Sequence, residues 1–202
     1  MENNEISAQI LDAAKARFNF YGYRKTTMAE VAGDCGMSAA NLYRYFESKL
    51  DICAALARGC LAEKETLLEQ VVNDKAMTAQ DKLPVFILKM LHHTYHYFES
   101  APKLGELVEV MTVQRPDIIA EHRHKKLALL TALLLQGEAT GEFVFDDVNE
   151  AADAVHSAIL LFYYPLTMSL YPLSILEKKA KNVSQLLLCG LRPNNRTVRG
   201  SL

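Results

Sequence analysis

The chain has 202 residues, half of them apolar, and a formal net charge of −2. That is enough for one large or two small domains with a real core. The near-neutral balance rules out bulk charge as the mark of a nucleic-acid binder, so any basic surface must be local. The four cysteines, Cys35, Cys53, Cys60 and Cys189, show no CxxC spacing and read as small buried hydrophobes in a reducing cytoplasm. The N-terminal MENNEIS is polar and acidic and does not read as a secretory leader.

Taken in order, the chain reads as helix throughout. A first helix is expected from about Ser7 to Tyr21, with Ile10, Leu11, Ala14, Phe18 and Tyr21 on one face. Gly22 breaks it. Thr27 caps a second helix, with Glu30 placed for a capping box, and Ala29, Val31 and Ala32 allow a close neighbour. Gly36 supplies a turn, Met37 fills the gap, and Ser38 caps a third helix whose Leu42 and Phe46 face inward. Ala39, Ala40, Asn41, Tyr43, Arg44 and Tyr45 are left for the outer faces and ends. A helix with a small N-terminal end and polar, aromatic and cationic outer groups suits a DNA major groove. Residues 1–50 hold six Lys/Arg and six Asp/Glu, but between Lys15 and Lys49 the acids are only Glu30, Asp34 and Glu47. A modest positive face is therefore available.

A longer helix is expected from 48 to 72, then a polar break at NDKAMTAQDK. A helix over 81–99 carries Phe86, Met90, His93 and Tyr97 on one stripe. Pro102 and Pro116 open helices over 103–113 and 116–136. Asp146 or Asp147 caps a helix over 148–163, which Pro165 ends or kinks. A last helix spans 174–191, with Leu176, Val183, Leu187 and Leu191 as a seam. The tail over 193–202 has almost no apolar content and reads as disordered. The run from Ala154 to Leu176 has no Asp, Glu, Lys or Arg, but Pro165, Pro172, His156 and several hydroxyls interrupt it. It reads as a buried or subunit-interface segment, not a membrane span.

On Gly22, Thr26, Thr27, Val31, Ala32, Gly36, Met37, Ser38, Leu42, Tyr43, Tyr45, Phe46, Ser48 and Lys49, the first quarter of the chain resembles the TetR family of bacterial transcription regulators. GEATGEFVFDDVNEAADAV and LLLCGL are similar to its later helices, less specifically. The resemblance implies an all-α protein: a three-helix helix-turn-helix domain over 1–50 and a helical ligand-binding and dimerisation domain over 51–192. It also implies that Ala39, Ala40, Asn41 and Tyr43 face the major groove, with Tyr45, Lys49 and Thr27 on phosphates. Arg44 could read guanine or hold a phosphate, and Asn41 could pair with adenine. Met28 stands where relatives can carry a polar base-contacting residue.

The C-terminal part is less explicit. The stripe Phe86, Met90, His93 and Tyr97 could be core or could line a pocket, joined by Leu107, Met111, Phe143, Phe162 and Tyr163. No cluster of acids or arginines faces it, so a neutral or weakly polar effector is expected. Leu160, Leu176, Val183, Leu187 and Leu191 are the expected dimer contacts. His92 and His96 lie one helical turn apart but find no obvious third ligand, so no metal and no cofactor is expected. No Ser–His–Asp, Walker, Rossmann or HExxH pattern supports an enzyme. The expectation is a cytoplasmic, homodimeric, ligand-responsive repressor of a palindromic DNA operator, with no membrane association. The alternative is a helical carrier or enzyme that keeps an unused helix-turn-helix.

Overall fold

The computed structural model describes residues 2–101 and 103–193; the tail expected to be disordered falls, from 194 on, outside them. The described residues form helices α1 (Glu2–Tyr21), α2 (Met28–Asp34), α3 (Ala39–Leu42), α4 (Lys49–Asn73), α5 (Ala79–Ser100), α6 (Leu104–Gln114), α7 (Pro116–Ala139), α8 (Val148–Ala158) and α9 (Leu173–Leu191). Short 3-10 turns follow α8 at Leu160–Phe162 and Pro165–Leu170. No strand occurs among the described residues, so the all-α expectation holds. None of the described helices is long and apolar enough to cross a membrane.

The chain divides into two compact units, Met1–Glu63 with Tyr97–Glu121, and Lys64–His96 with His122–Leu202. The first is built on Ile10, Ala14, Phe18, Val31, Ala32, Leu42 and Ile52, with Val110, Met111 and Ile118 in the same core. Cys53 lies in that core, and burial pushes its thiol up to about 12. Cys189 departs from the expected burial and is exposed. Tyr21 departs too. It is 51% exposed, because α1 ends there and Gly22, at φ +90°, turns the chain so that Tyr23 takes the inward place against Phe18.

In the second unit, Asp147 caps α8 by accepting from the amides of Asn149 and Glu150. The helix expected over 148–163 stops at Ala158. Beyond it the chain tightens into 3-10 geometry, Phe162 N–H donating to the Ile159 carbonyl, and Pro165, which has no N–H, opens the second 3-10 turn. On α9 the inward face is Leu176, Ala180, Ser184 and Leu191. Ser184 donates to the Ala180 carbonyl at 2.7 Å, which satisfies its buried hydroxyl. Leu176 and Leu191 are thus corrected from dimer contacts to core of their own unit. The small Ala180 and Ser184 complete the buried stripe between them. Val183 and Leu187 are half-buried, while Ile175, Leu186, Leu160 and Leu170 are the exposed apolar residues here.

Two helical glycines separate packing from backbone freedom. A Cβ at Gly137 would stand 2.1 Å from Phe143 Cδ2, whereas one at Gly59 meets nothing within 4 Å. Gly137→Ala should destabilise the protein by about 1–3 kcal/mol in urea unfolding. Gly59→Ala should stabilise it by about 0.4–1 kcal/mol.

Candidate nucleic-acid interface

Helix α3 has only four residues, too few to hold a helix alone. Its position comes from its surroundings. Thr27 and Glu30 make the expected capping box, the Thr27 amide donating to Glu30 Oε2 at 2.8 Å and the Glu30 amide to Thr27 Oγ1 at 3.3 Å. Gly36 takes φ +67° in the turn, and Ser38 Oγ accepts from the Asn41 amide at 3.2 Å. Arg17 on α1 grips Asp34 at the end of α2 through two hydrogen bonds, the Nη2 one at 2.9 Å, and reaches Glu30 at 3.5 Å. Leu42 is fully buried, and the half-buried Tyr45 and Phe46 pack on the same core.

That frame leaves Ala40, Tyr43 and Arg44 exposed, with Ala39 and Asn41 half-exposed beside them. Tyr43 is 50% exposed, so it is not a packing residue. These side chains form one polar, aromatic and cationic end of α3. An amide, a guanidinium and two methyl groups in this arrangement can meet base edges, and the phenol can meet a phosphate.

Lys49 is placed differently from a free phosphate contact. Its Nζ donates to the backbone carbonyls of Tyr23 and Thr26, both at 2.7 Å, and lies 4.3 Å from the Tyr23 ring centroid. Burial holds its pKa below the ordinary lysine value. The sequence suggested a phosphate ligand and missed this structural role, because the two carbonyls are 26 and 23 residues away. Arg24, at the same turn, pairs with Glu109 of α6 at 2.9 Å, and its amide donates to Glu106.

The nine residues expected at an effector site do not fall in one unit. Tyr97, Leu107 and Met111 belong to the first; Phe86, Met90, His93, Phe143, Phe162 and Tyr163 belong to the second. Tyr97 donates its hydroxyl to Glu63, and burial raises its pKa well above the phenol range. Met111 and Leu107 pack on the first unit's core. Phe86, Met90, Phe143 and Phe162 are fully buried in the second unit, and His93 is half-buried. His92 pairs with Glu177 at 2.6 Å, and no group of three or more potential metal ligands converges among the described residues. Periodicity missed a buried polar set in the second unit: Lys126 beneath the Tyr163 ring, His156 on the Tyr163 hydroxyl at 2.9 Å, and Glu65 on His122 at 2.9 Å. Charged residues on a helix read as solvated, and nothing in their spacing says otherwise.

Two family models match the chain: bacterial regulatory proteins of the tetR family over residues 10–56, and the tetracyclin repressor-like C-terminal domain over residues 79–183. A relative in Pseudomonas putida, the HTH-type transcriptional regulator TtgR, is 26% identical over 182 residues, covering 81% of this chain and 78% of that protein. A regulator of the TetR/AcrR family from Thermobifida fusca superposes with a TM-score of 0.70 at 19% identity, covering 92% of this chain and 98% of that one. The Bacillus subtilis regulator FadR, solved in complex with stearoyl-CoA, superposes with a TM-score of 0.67 at 23% identity, covering 92% and 99%.

The capping box stabilises the frame that presents α3. Glu30 and Asp34 are both held below the ordinary carboxylate range, Glu30 by the Thr27 hydrogen bonds and Asp34 by Arg17. Their contribution is therefore complete above the unfolded carboxylate pKa and is lost as the pH falls through the lower folded values. Thr27→Ala should cost about 1 kcal/mol in urea unfolding, and Thr27→Ser should recover most of it.

Proposed function

This chain belongs to the TetR family of bacterial regulatory proteins, and we propose that within it the protein is a homodimeric, ligand-responsive repressor of a palindromic DNA operator. Residues 1–50 carry the DNA-reading module, and residues 51–192 carry effector binding and dimerisation. The observation that supports the reading best is the exposure of Ala40, Tyr43 and Arg44 along and just after a helix that Leu42 and Phe46 anchor to the core of the unit. Among the described residues, no side-chain hydrogen bond or ion pair involves those exposed side chains. In the proposed complex Ala39 and Ala40 touch thymine methyl groups, Asn41 pairs with adenine, and Arg44 reads guanine. Tyr43, Tyr45 and the Thr27 hydroxyl position the backbone. Lys49 acts there chiefly by holding the turn before α2.

Two copies supply the symmetry of a palindrome. Their recognition helices would lie one DNA turn apart, roughly 34–36 Å. The exposed Leu160, Leu170, Ile175 and Leu186 are apolar surface that a second copy would cover. An effector in the second domain, largely apolar like the buried Phe86, Met90 and Phe162, would favour a dimer whose helices no longer match that spacing. A few kcal/mol of differential affinity suffices for release. That FadR was solved with stearoyl-CoA supports a bulky, mainly hydrophobic effector. The protein would act in the cytoplasm, with no enzymatic activity.

Selection of bound sequences from a random DNA pool tests the reading. Enrichment of an inverted repeat is the expected result, and no enrichment at low salt would sink it. On the selected site, Asn41→Ala should cost about 1–3 kcal/mol while leaving random-DNA affinity nearly unchanged. Arg44→Ala should cost about 1–3 kcal/mol on the selected site and relax its preference for guanine at one position. Leu186→Glu should dissociate the dimer in sedimentation velocity at micromolar concentration, whereas a wild-type monomer there would refute the dimer.

A further inference from the structure

Lys82 and Lys126 are both buried in the second unit, and the protein treats them differently. The Lys82 ammonium donates to the Val72 carbonyl at 2.8 Å and to Gln136 Oε1 at 2.7 Å, which ties the end of α4 to α7. Lys126, on α7, is 2% exposed. Among the described residues, its ammonium makes no hydrogen bond or ion pair to a protein oxygen. Its close partner is the ring of Tyr163, with the centroid 3.3 Å from Nζ. An aromatic face offsets part of the lost hydration of an ammonium, but it accepts no hydrogen bond of carboxylate strength.

The neighbours do not supply the missing anion. Glu65, on α4, is committed to His122 at 2.9 Å and Lys125 at 3.2 Å. Asp153, on α8, is committed to Arg123 at 3.2 Å. Lys64 and Arg123 add positive potential at Lys126. His122 and His156 are both buried, and both are held below the ordinary imidazole value, chiefly by burial, so they stand as neutral rings. His156 Nε2 lies 2.9 Å from the Tyr163 hydroxyl. With Nε2 protonated it donates to the phenol oxygen and leaves the phenol proton for another acceptor.

We propose that this is an anion subsite, at which the second unit takes the carboxylate head of a mainly apolar effector, with Lys126 as counter-ion and the Tyr163 hydroxyl, steered by His156, as second donor. One ammonium without an oxygen partner suits a monoanion better than a doubly charged phosphate. A carboxylic acid therefore replaces the neutral effector expected from the Phe86 stripe. The inference rests on the second unit being the effector-binding one.

A proton linkage follows. In the free protein, burial and the nearby Lys64 and Arg123 bring Lys126 down to about 7. A bound carboxylate raises it, so binding takes up a proton, and carboxylate affinity falls about tenfold per pH unit above that free midpoint. His122, His156 and Tyr163 keep their neutral forms through that window.

The test uses the full-length protein without DNA, so a failed operator selection and a failed anion site are read separately. The probes are dodecanoate and 4-phenylbutyrate, each matched with its primary amide. The Lys126 13Cε resonance, assigned by its loss in Lys126→Met or Lys126→Arg, is titrated against pH. At least one carboxylate should move the midpoint upward by about one unit or more while its amide leaves it in place. By calorimetry the same carboxylate should bind at least about tenfold more tightly than its amide, and Lys126→Met should erase that preference. If neither carboxylate binds or moves the resonance, or if the amide moves it equally, the subsite is refuted. A Lys126→Met protein that still prefers the carboxylate refutes it as well. Should both variants fail to fold, the wild-type carboxylate–amide contrast and its pH dependence decide alone.

Discussion

The ammonium of Lys49, seated on the carbonyls of Tyr23 and Thr26, is the contact on which the DNA-reading end depends. Past the end of α1 the backbone turns through Gly22, and the carbonyls of that turn have left the helical ladder. The Tyr23 carbonyl accepts from the Thr26 amide at 3.3 Å, and Lys49 brings a charged donor to it and to the Thr26 carbonyl. A charge-assisted pair from the first residue of α4 satisfies both and locks the turn against the next long helix. Thr26, fully buried, adds a hydroxyl bond to the Gly22 carbonyl at 2.9 Å. Once that turn is fixed, Thr27 is in place to cap α2, and the position of α2 determines where α3 can stand.

The consequence is a division of labour along a short stretch. Leu42 and Phe46 attach α3 to the core, and Ser38 starts it. Of the side chains between them, Ala39 and Tyr45 share the packing, and Ala40, Tyr43 and Arg44 are left facing outward. Four residues of helix have no stability of their own, so the reading surface is as rigid as the frame and no more. Arg24 and Glu109, with Glu106 at the Arg24 amide, bring α6 into the same unit.

The second unit follows another logic. Its helices are fastened by apolar burial, by Lys82 bridging α4 and α7, and by Glu142 accepting the first amides of α5. Among these the Lys126 ammonium rests on an aromatic face without an ion pair among the described residues, an arrangement that a ligand anion would complete.

The helix order, the caps at Thr27 and Ser38, and the turns at Gly22 and Gly36 were all legible in the chain, and the Asp147 cap was legible as one of two adjacent candidates. Each is an interaction between residues a few positions apart, and such interactions are written in residue type and spacing. The family was legible for the same reason, since its motif is a run of caps, turns and small residues. What the tertiary structure decided lies at long range. It turned Tyr21 out and Tyr23 in, and buried Leu176 and Leu191 while leaving Leu186 on the surface. It seated Lys49 on carbonyls more than twenty residues away and enclosed Lys126 beneath Tyr163. A helical stripe says which residues share a face. It does not say which of two apolar faces a neighbour will cover, or which charge that neighbour will enclose, because that depends on packing against chain far away in sequence.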